Sequence, residues 1–173
     1  PHLSTTDGAQ RIEFDRWPMV GAPQVRIIKR RTVDVVHGSF AGAADPLPDN
    51  SVQQIELIQQ GGTTFANPAD YKLTAGQVDW AAGGAEPAPG STYQVTYLYI
   101  AVIPAAEVDS RGLTVTGAVA GTTVLLSYNF ALRRIDRLTL SADGDIAWVR
   151  GVPAPWIPIA PQVPGNVLTI ASV

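Results

Sequence analysis

The stretch from Thr63 to Tyr99, TTFANPADYKLTAGQVDWAAGGAEPAPGSTYQVTYLY, alternates short β-branched and aromatic runs with turn residues at close, regular spacing. Asn67-Pro68, Ala75-Gly76, Gly83-Gly84 and Pro89-Gly90 punctuate it, each supplying the fixed φ of proline or the positive φ open to glycine. Between them YKLT, QVDW and TYQVTYLYI have strand length and strand composition. The region therefore reads as successive β-hairpins and not as a catalytic loop. Downstream, LTVTG, TVLLSYNFAL, RIDRLTLS and DIAWVR recur at intervals of about ten residues, which suits an antiparallel β-sandwich or barrel-like fold. Asp143-Gly144 carries a two-residue hairpin signal. The expected fold class is all-β and antiparallel, with an extended Pro-rich C-terminal arm.

The rest of the chain divides around that core. Residues 1–24 show no period, carry Pro18 and Pro23, and read as an extended lead-in with Trp17 as an anchor. VRIIKRRTVDVV, at 25–36, is the first convincing strand and opens an antiparallel β domain over 25–151, with a division into two subdomains near 104–112 left open. The loop His37–Asn50, rich in glycine, proline and alanine, reads as a surface connection. The segment 51–60 is ambiguous. Ser51 with Gln54 matches a capping box, and Val52, Ile55 and Ile58 have helical spacing, whereas Ile55 and Leu57 suit a strand face; the surrounding hairpins favour the strand. Five prolines between 153 and 164 make 152–173 an extended arm followed by a terminal strand. Its interleaved apolar residues, Trp156 among them, suit packing on its own surface or on a neighbouring subunit.

Composition excludes several functions. At 173 residues a core can form without staples, and the absence of cysteine removes disulfides and thiolate metal sites and fits folding in bacterial cytoplasm. A net charge of −3 supplies no field for nucleic-acid binding. The longest apolar runs fall short of the roughly 20 residues of a membrane-spanning helix, so no membrane insertion is expected. The chain opens on Pro1 without a signal-like leader and ends on LTIASV, which reads as a piece of a longer polypeptide.

Few residues are arranged for chemistry. His37-Gly38-Ser39 places histidine near serine, but GSFAG lacks the nucleophile-elbow pattern and a following helix, so it reads as a loop turn. Among the carboxylates, Asp70, Asp79, Glu86, Asp136, Asp143 and Asp145 are the candidates for a pair across a sugar, although Asp143 and Asp145 flank a hairpin glycine, where aspartate is favoured for turn geometry alone. No metal or cofactor is expected: His2 and His37 are far apart and no calcium loop or phosphate-binding loop exists. The basic runs Arg26 with Lys29-Arg30-Arg31, and Arg133-Arg134 with Arg137, split between strand faces and read as a charged sheet edge or as salt-bridging residues. Arg134 and Asp136 share a face and are expected to pair. Strand parity puts Tyr93, Val95, Tyr97 and Tyr99 on one face, a row suited to core or interface, or, if exposed together with Trp80, to glycan stacking.

The segments DYKLT, VDW, GAEPAPGSTYQVTYLY and RRIDRLTLSADGDIAWVRGVPA, in that order, resemble an uncharacterised domain of tailed-bacteriophage tail-fibre and baseplate proteins, domain of unknown function 4815, over roughly Val33 to the C-terminus. That family has no established catalytic residues to carry over. The resemblance implies a non-enzymatic structural module of a phage or prophage tail, carried on the virion, that connects fibre parts as a homo-oligomer with other tail proteins. Fibres are commonly trimeric, although no residue here specifies that number. The alternatives are a carbohydrate-binding module for host surface glycans, using Trp80, Tyr93, Tyr97, Tyr99 and Trp156, and a tail-associated glycan hydrolase.

Overall fold

In the computed structural model, which describes residues 1–80 and 83–173, the longer strands form where β-branched and aromatic residues are concentrated. They are β1 (His2–Leu3), β2 (Ala9–Glu13), β3 (Met19–Val36), β4 (Ala44–Pro46), β5 (Val52–Gln60), β6 (Thr63–Phe65), β7 (Lys72–Thr74), β8 (Gln77–Asp79), β9 (Thr92–Ile103), β10 (Gly112–Thr116), β11 (Thr123–Phe130), β12 (Arg137–Ser141), β13 (Ile146–Val149) and β14 (Val167–Ser172). The protein is all-β and its sheets are antiparallel, one of them curled into a half-barrel. No helix is present among the described residues, so none is long and apolar enough to cross a membrane.

Two compact units emerge, and their boundaries differ from the expected division. The first comprises Pro1–Ile12, Pro23–Val108 and Leu113–Ser127; the second comprises Glu13–Ala22, Asp109–Gly112 and Tyr128–Val173. Residues 1–24 are thus no simple lead-in, because β1, β2 and the start of β3 lie within them. Nor does the chain divide once near 104–112, since each unit draws on separated segments.

The first unit is built on the sheet ordered β1-β11-β3-β9-β5-β6. β3 pairs with β9 from Val25↔Ile103 to Val36↔Thr92, so Val33 and Val35 share a face with Tyr93, Val95 and Tyr97. That face is the core, where Ile58, Val95 and Tyr97 are fully buried. β3 lies between β11 and β9, which corrects the reading of its basic run as a sheet edge. Arg30 instead forks onto Glu56 (Nε to Oε2 2.6 Å) and Arg31 onto Asp49 (3.1 Å).

The ambiguous segment is strand β5, and its helical spacing has a sheet explanation. The pairing with β9 shifts register between Val52 and Gln54 and again between Ile55 and Leu57. Two β-bulges, at Gln53 and Glu56, each insert one residue, so Val52, Ile55 and Ile58 fall opposite Tyr99, Tyr97 and Val95 on the core face. Leu57 pairs with Thr96 on the other face, not beside Ile55.

A smaller sheet, β4-β8-β7, covers the aromatic end of this core. The β7–β8 turn has both central residues in the left-handed region, Ala75 at φ 50° and Gly76 at φ 77°, which is the type I′ geometry that matches strand twist.

The second unit holds the sheet β13-β12-β14. The β12–β13 hairpin closes through a three-residue loop and not a two-residue one. Ser141 N–H donates to the Asp145 carbonyl (2.9 Å), Gly144 N–H donates to the Ser141 carbonyl (3.2 Å), and Gly144 takes φ 89° as the bulge residue. β14 pairs with β12, and the prolines before it leave no regular structure apart from an Arg133↔Ala154 bridge.

Candidate functional site

The loop after β3 turns inward. Ala43, Asp45 and Leu47 are buried in alternation, because β4 pairs with β8 (Asp45↔Val78) and points these side chains at the core. This corrects the reading of His37–Asn50 as a surface connection. Asp45 Oδ2 accepts from His37 Nδ1 (2.8 Å), Trp80 Nε1 (3.0 Å) and Tyr93 OH (2.7 Å), and its Oδ1 accepts from Gly38 N–H (2.9 Å). Four segments converge on one carboxyl group: the end of β3, β4, the residue after β8, and β9.

The rest of the cluster closes around these bonds. Trp80 meets Phe65, Tyr93, Tyr71 and His37 in edge-on contacts with centroids 5.1–5.8 Å apart, the favoured geometry for aromatic pairs. His37 Nε2 has no hydrogen-bond partner and lies 3.6 Å from Glu86 Oε2, which itself accepts from Gly42 N–H (2.7 Å). Burial, then the bond to Asp45, pushes the Tyr93 phenol far above its ordinary range. Burial and then Asp49 do the same to Tyr97, whose OH donates to Asp49 Oδ2 (2.5 Å), while Arg31 donates to both oxygens of that carboxylate (3.1 and 3.2 Å).

A histidine oriented by aspartate is one half of an acid–base arrangement, but it needs a nucleophile or substrate within reach. His37 is 1% exposed and Ser39 is exposed, so solvent and substrate do not meet the imidazole. What this network does is tie the β3–β5 loop to the sheet.

The sequence candidates scatter accordingly. Trp80, Tyr93 and Tyr97 are buried core residues whose ring faces are covered by protein, so they offer no platform for a sugar; Tyr99 is half-buried. The candidate carboxylates have local partners. Asp70 accepts from Ala66 and Ala85 N–H, Asp79 from Thr74 Oγ1, and Glu86 from Gly42. Among the described residues no cluster of three or more metal-ligating side chains occurs. Arg134 and Asp136 form a two-pronged pair (Nε to Oδ1 2.7 Å, a second N–H to Oδ2 2.8 Å). That pair, helped by Gly151 N–H, holds the Asp136 carboxyl below the usual carboxylate range.

Trp156 belongs to a different place. In the second unit a cavity of about 270 Å³ is lined by Asp15, Arg16, Trp17, Arg133, Pro155, Trp156 and Ile157. The Arg16 guanidinium lies over the rings of Trp156 (4.9 Å) and Phe130 (5.1 Å), and those of Arg133 (4.4 Å) and Arg111 (5.1 Å) lie over Trp17. Sequence reasoning singled out Trp156 and Trp17, and Arg133 within a basic run, but not Arg16, nor that these distant chain segments meet. It also missed Asp45 and Asp49, which lie in and beside a three-residue strand set among glycines and prolines.

Fold and sites together define an all-β, antiparallel protein with a polar cluster around Asp45 that is closed to solvent. The chain belongs to the family described as Domain of unknown function (DUF4815), which matches it over residues 1–173. No curated protein and no solved structure matches it.

Proposed function

We propose that the chain is a non-enzymatic structural module of a phage or prophage tail, part of the fibre or baseplate, which assembles as a homo-oligomer in the bacterial cytoplasm and remains on the virion. The resemblance of its strand and turn segments to tail-fibre and baseplate domains supports the location.

One observation carries the assembly. In the second unit Phe14 is the apolar side chain buried below a tenth of its surface, whereas Ile146, Trp148, Leu168 and Ile170 are half to two-thirds exposed. The register explains why they gather. Ile146 and Leu168 both pair with Leu140, and Trp148 and Ala171 both pair with Leu138, so these side chains share one face of the three-stranded sheet. A small unit with an apolar sheet face in water gains from covering it with a like face.

Light scattering of the purified chain tests this. The expected result is a particle several times the 18.3 kDa chain mass, reduced to one chain by Trp148→Glu with Leu168→Glu at unchanged strand content. A monomer at high concentration refutes the assembly. Antibody labelling of induced particles tests the location, and an unlabelled tail refutes that.

The glycan-binding reading loses its tyrosine row but keeps Trp156, which is 62% exposed beside arginines.

A further inference from the structure

We infer that the cavity between Trp17 and Trp156 is a binding site for an acidic saccharide unit, a sugar ring bearing a carboxylate. The inference rests on the glycan-binding reading and is independent of assembly.

The cavity combines two features that such a ligand needs. Trp17 and Trp156 carry guanidiniums over their rings yet remain 44% and 62% exposed, which leaves indole surface for the C–H groups of a sugar. Arg16 and Arg133 line the same cavity, and Arg111 lies over Trp17. Among the described residues none of these three guanidiniums has a carboxylate partner within salt-bridge distance. Each rests on an indole or phenyl ring, which positions it while leaving its N–H groups able to donate. Against Asp15, the acid lining the cavity, the arginines leave a local positive excess in a chain of net charge −3. That excess selects an anion.

The walls are held by backbone bonds and so are formed before any ligand arrives. Phe14 N–H donates to the Arg111 carbonyl (2.7 Å), Arg16 N–H to Tyr128 OH (3.1 Å), Met19 N–H to the Ser110 carbonyl (3.1 Å), and Ala131 N–H to the Pro18 carbonyl (2.9 Å). The Arg133↔Ala154 bridge fixes the proline-rich segment two residues before Trp156. Preorganisation of this kind lowers the ordering cost of binding. Arginine and tryptophan also stack nucleic-acid bases, but a strand of phosphates needs a basic track, and net charge −3 supplies none.

The test is titration of the intact chain, labelled with ¹⁵N, with trigalacturonate, with the neutral maltotriose, and with a short single-stranded DNA. The chain has four tryptophans, hence four indole N–H signals. Trigalacturonate should move those of Trp17 and Trp156 and leave those of Trp80 and Trp148 in place, with maltotriose at least tenfold weaker. Trp156→Ala and Arg133→Gln should each weaken trigalacturonate binding tenfold or more without changing the thermal midpoint. Equal binding of maltotriose at the same two indoles overturns the acidic assignment while leaving a glycan site. No movement with either saccharide overturns the glycan reading as well, and stronger binding of the DNA replaces it with nucleic acid.

Discussion

Asp45 is the position where a single substitution should cost the most. The carboxyl group accepts from His37, Trp80, Tyr93 and Gly38, and it is 2% exposed, so water cannot replace it. In Asp45→Ala the donors keep their burial and lose their acceptor. Trp80 Nε1 retains Tyr93 OH at 3.3 Å, which softens the loss, but the others are stranded at about 1–3 kcal/mol each. The expected total is about 4 kcal/mol or more, before any void is counted. Asp45→Asn keeps an oxygen where three donors converge but turns an amide N–H₂ toward Gly38 N–H, which should cost about 2 kcal/mol. Tyr93→Phe removes one donor and leaves the carboxyl group with three others, at about 1 kcal/mol.

The order Ala, then Asn, then Tyr93→Phe is the content of the prediction. Urea unfolding followed by far-ultraviolet and near-ultraviolet circular dichroism would read it, the latter through the buried aromatic cluster around Trp80. For a chain of this length about 4 kcal/mol lowers the thermal midpoint by roughly 8–16 °C. If Asp45→Ala lies within about 0.5 kcal/mol of the parent, the network is not what holds the β3–β5 loop. If Tyr93→Phe costs as much as Asp45→Ala, the phenol and not the carboxyl group is the centre.

Three further outcomes are expected. The Tyr93 and Tyr97 phenols are raised in the folded state, so the unfolded chain releases protons that the folded chain holds. Stability should be intact below about pH 10 and then fall by about 1.4 kcal/mol per pH unit for each of the two, which urea midpoints across the alkaline range would show. All five tyrosines ionising together without loss of structure would contradict this. Asp136 is depressed in the folded state, so its contribution is present above the ordinary carboxylate range and lost as pH falls through its folded value; Asp136→Asn should flatten the acid limb of the stability profile, and salt should shrink the difference. Ala75 sits at φ 50° in an exposed type I′ turn, and Ala75→Asn should raise stability by about 0.5–1 kcal/mol, an unchanged or lower urea midpoint counting against it.

Much of the fold was legible because period-two patterning and turn chemistry agree along most of the chain. Tyr93, Val95 and Tyr97 face the core as parity dictates, and the Ala75-Gly76 turn lies where its residues place it. Where a reading stayed ambiguous or failed, the causes are physical. In β5 two bulges convert a period of two into an apparent period of three, and Val52, Ile55 and Ile58 imitate a helix face while lying on a sheet. The loop after β3 looked solvent-facing because glycines and prolines surround a three-residue strand too short to register as a pattern. Neither the cluster around Asp45 nor the cavity around Trp156 could be read along the chain, since each joins residues tens of positions apart.

The two units use their tryptophans in opposite ways, and this bears on both proposals. In the first unit Trp80, Tyr71, Tyr93 and Tyr97 are interior, and their polar atoms are spent on Asp45 and Asp49 or desolvated. In the second unit Trp17, Trp148 and Trp156 are all more than two-fifths exposed. Large indoles remain in water at a cost that scales with their apolar area, so a unit that presents three of them is stabilised by whatever covers them. Trp148 shares an apolar sheet face with Ile146 and Leu168, whereas Trp17 and Trp156 sit among guanidiniums. The first environment suits a like surface of another copy and the second suits an anion. The same residue type therefore divides between assembly and ligand recognition by its neighbours, and substitutions at Trp148 and at Trp156 should be separable: the former should change particle mass and the latter saccharide affinity.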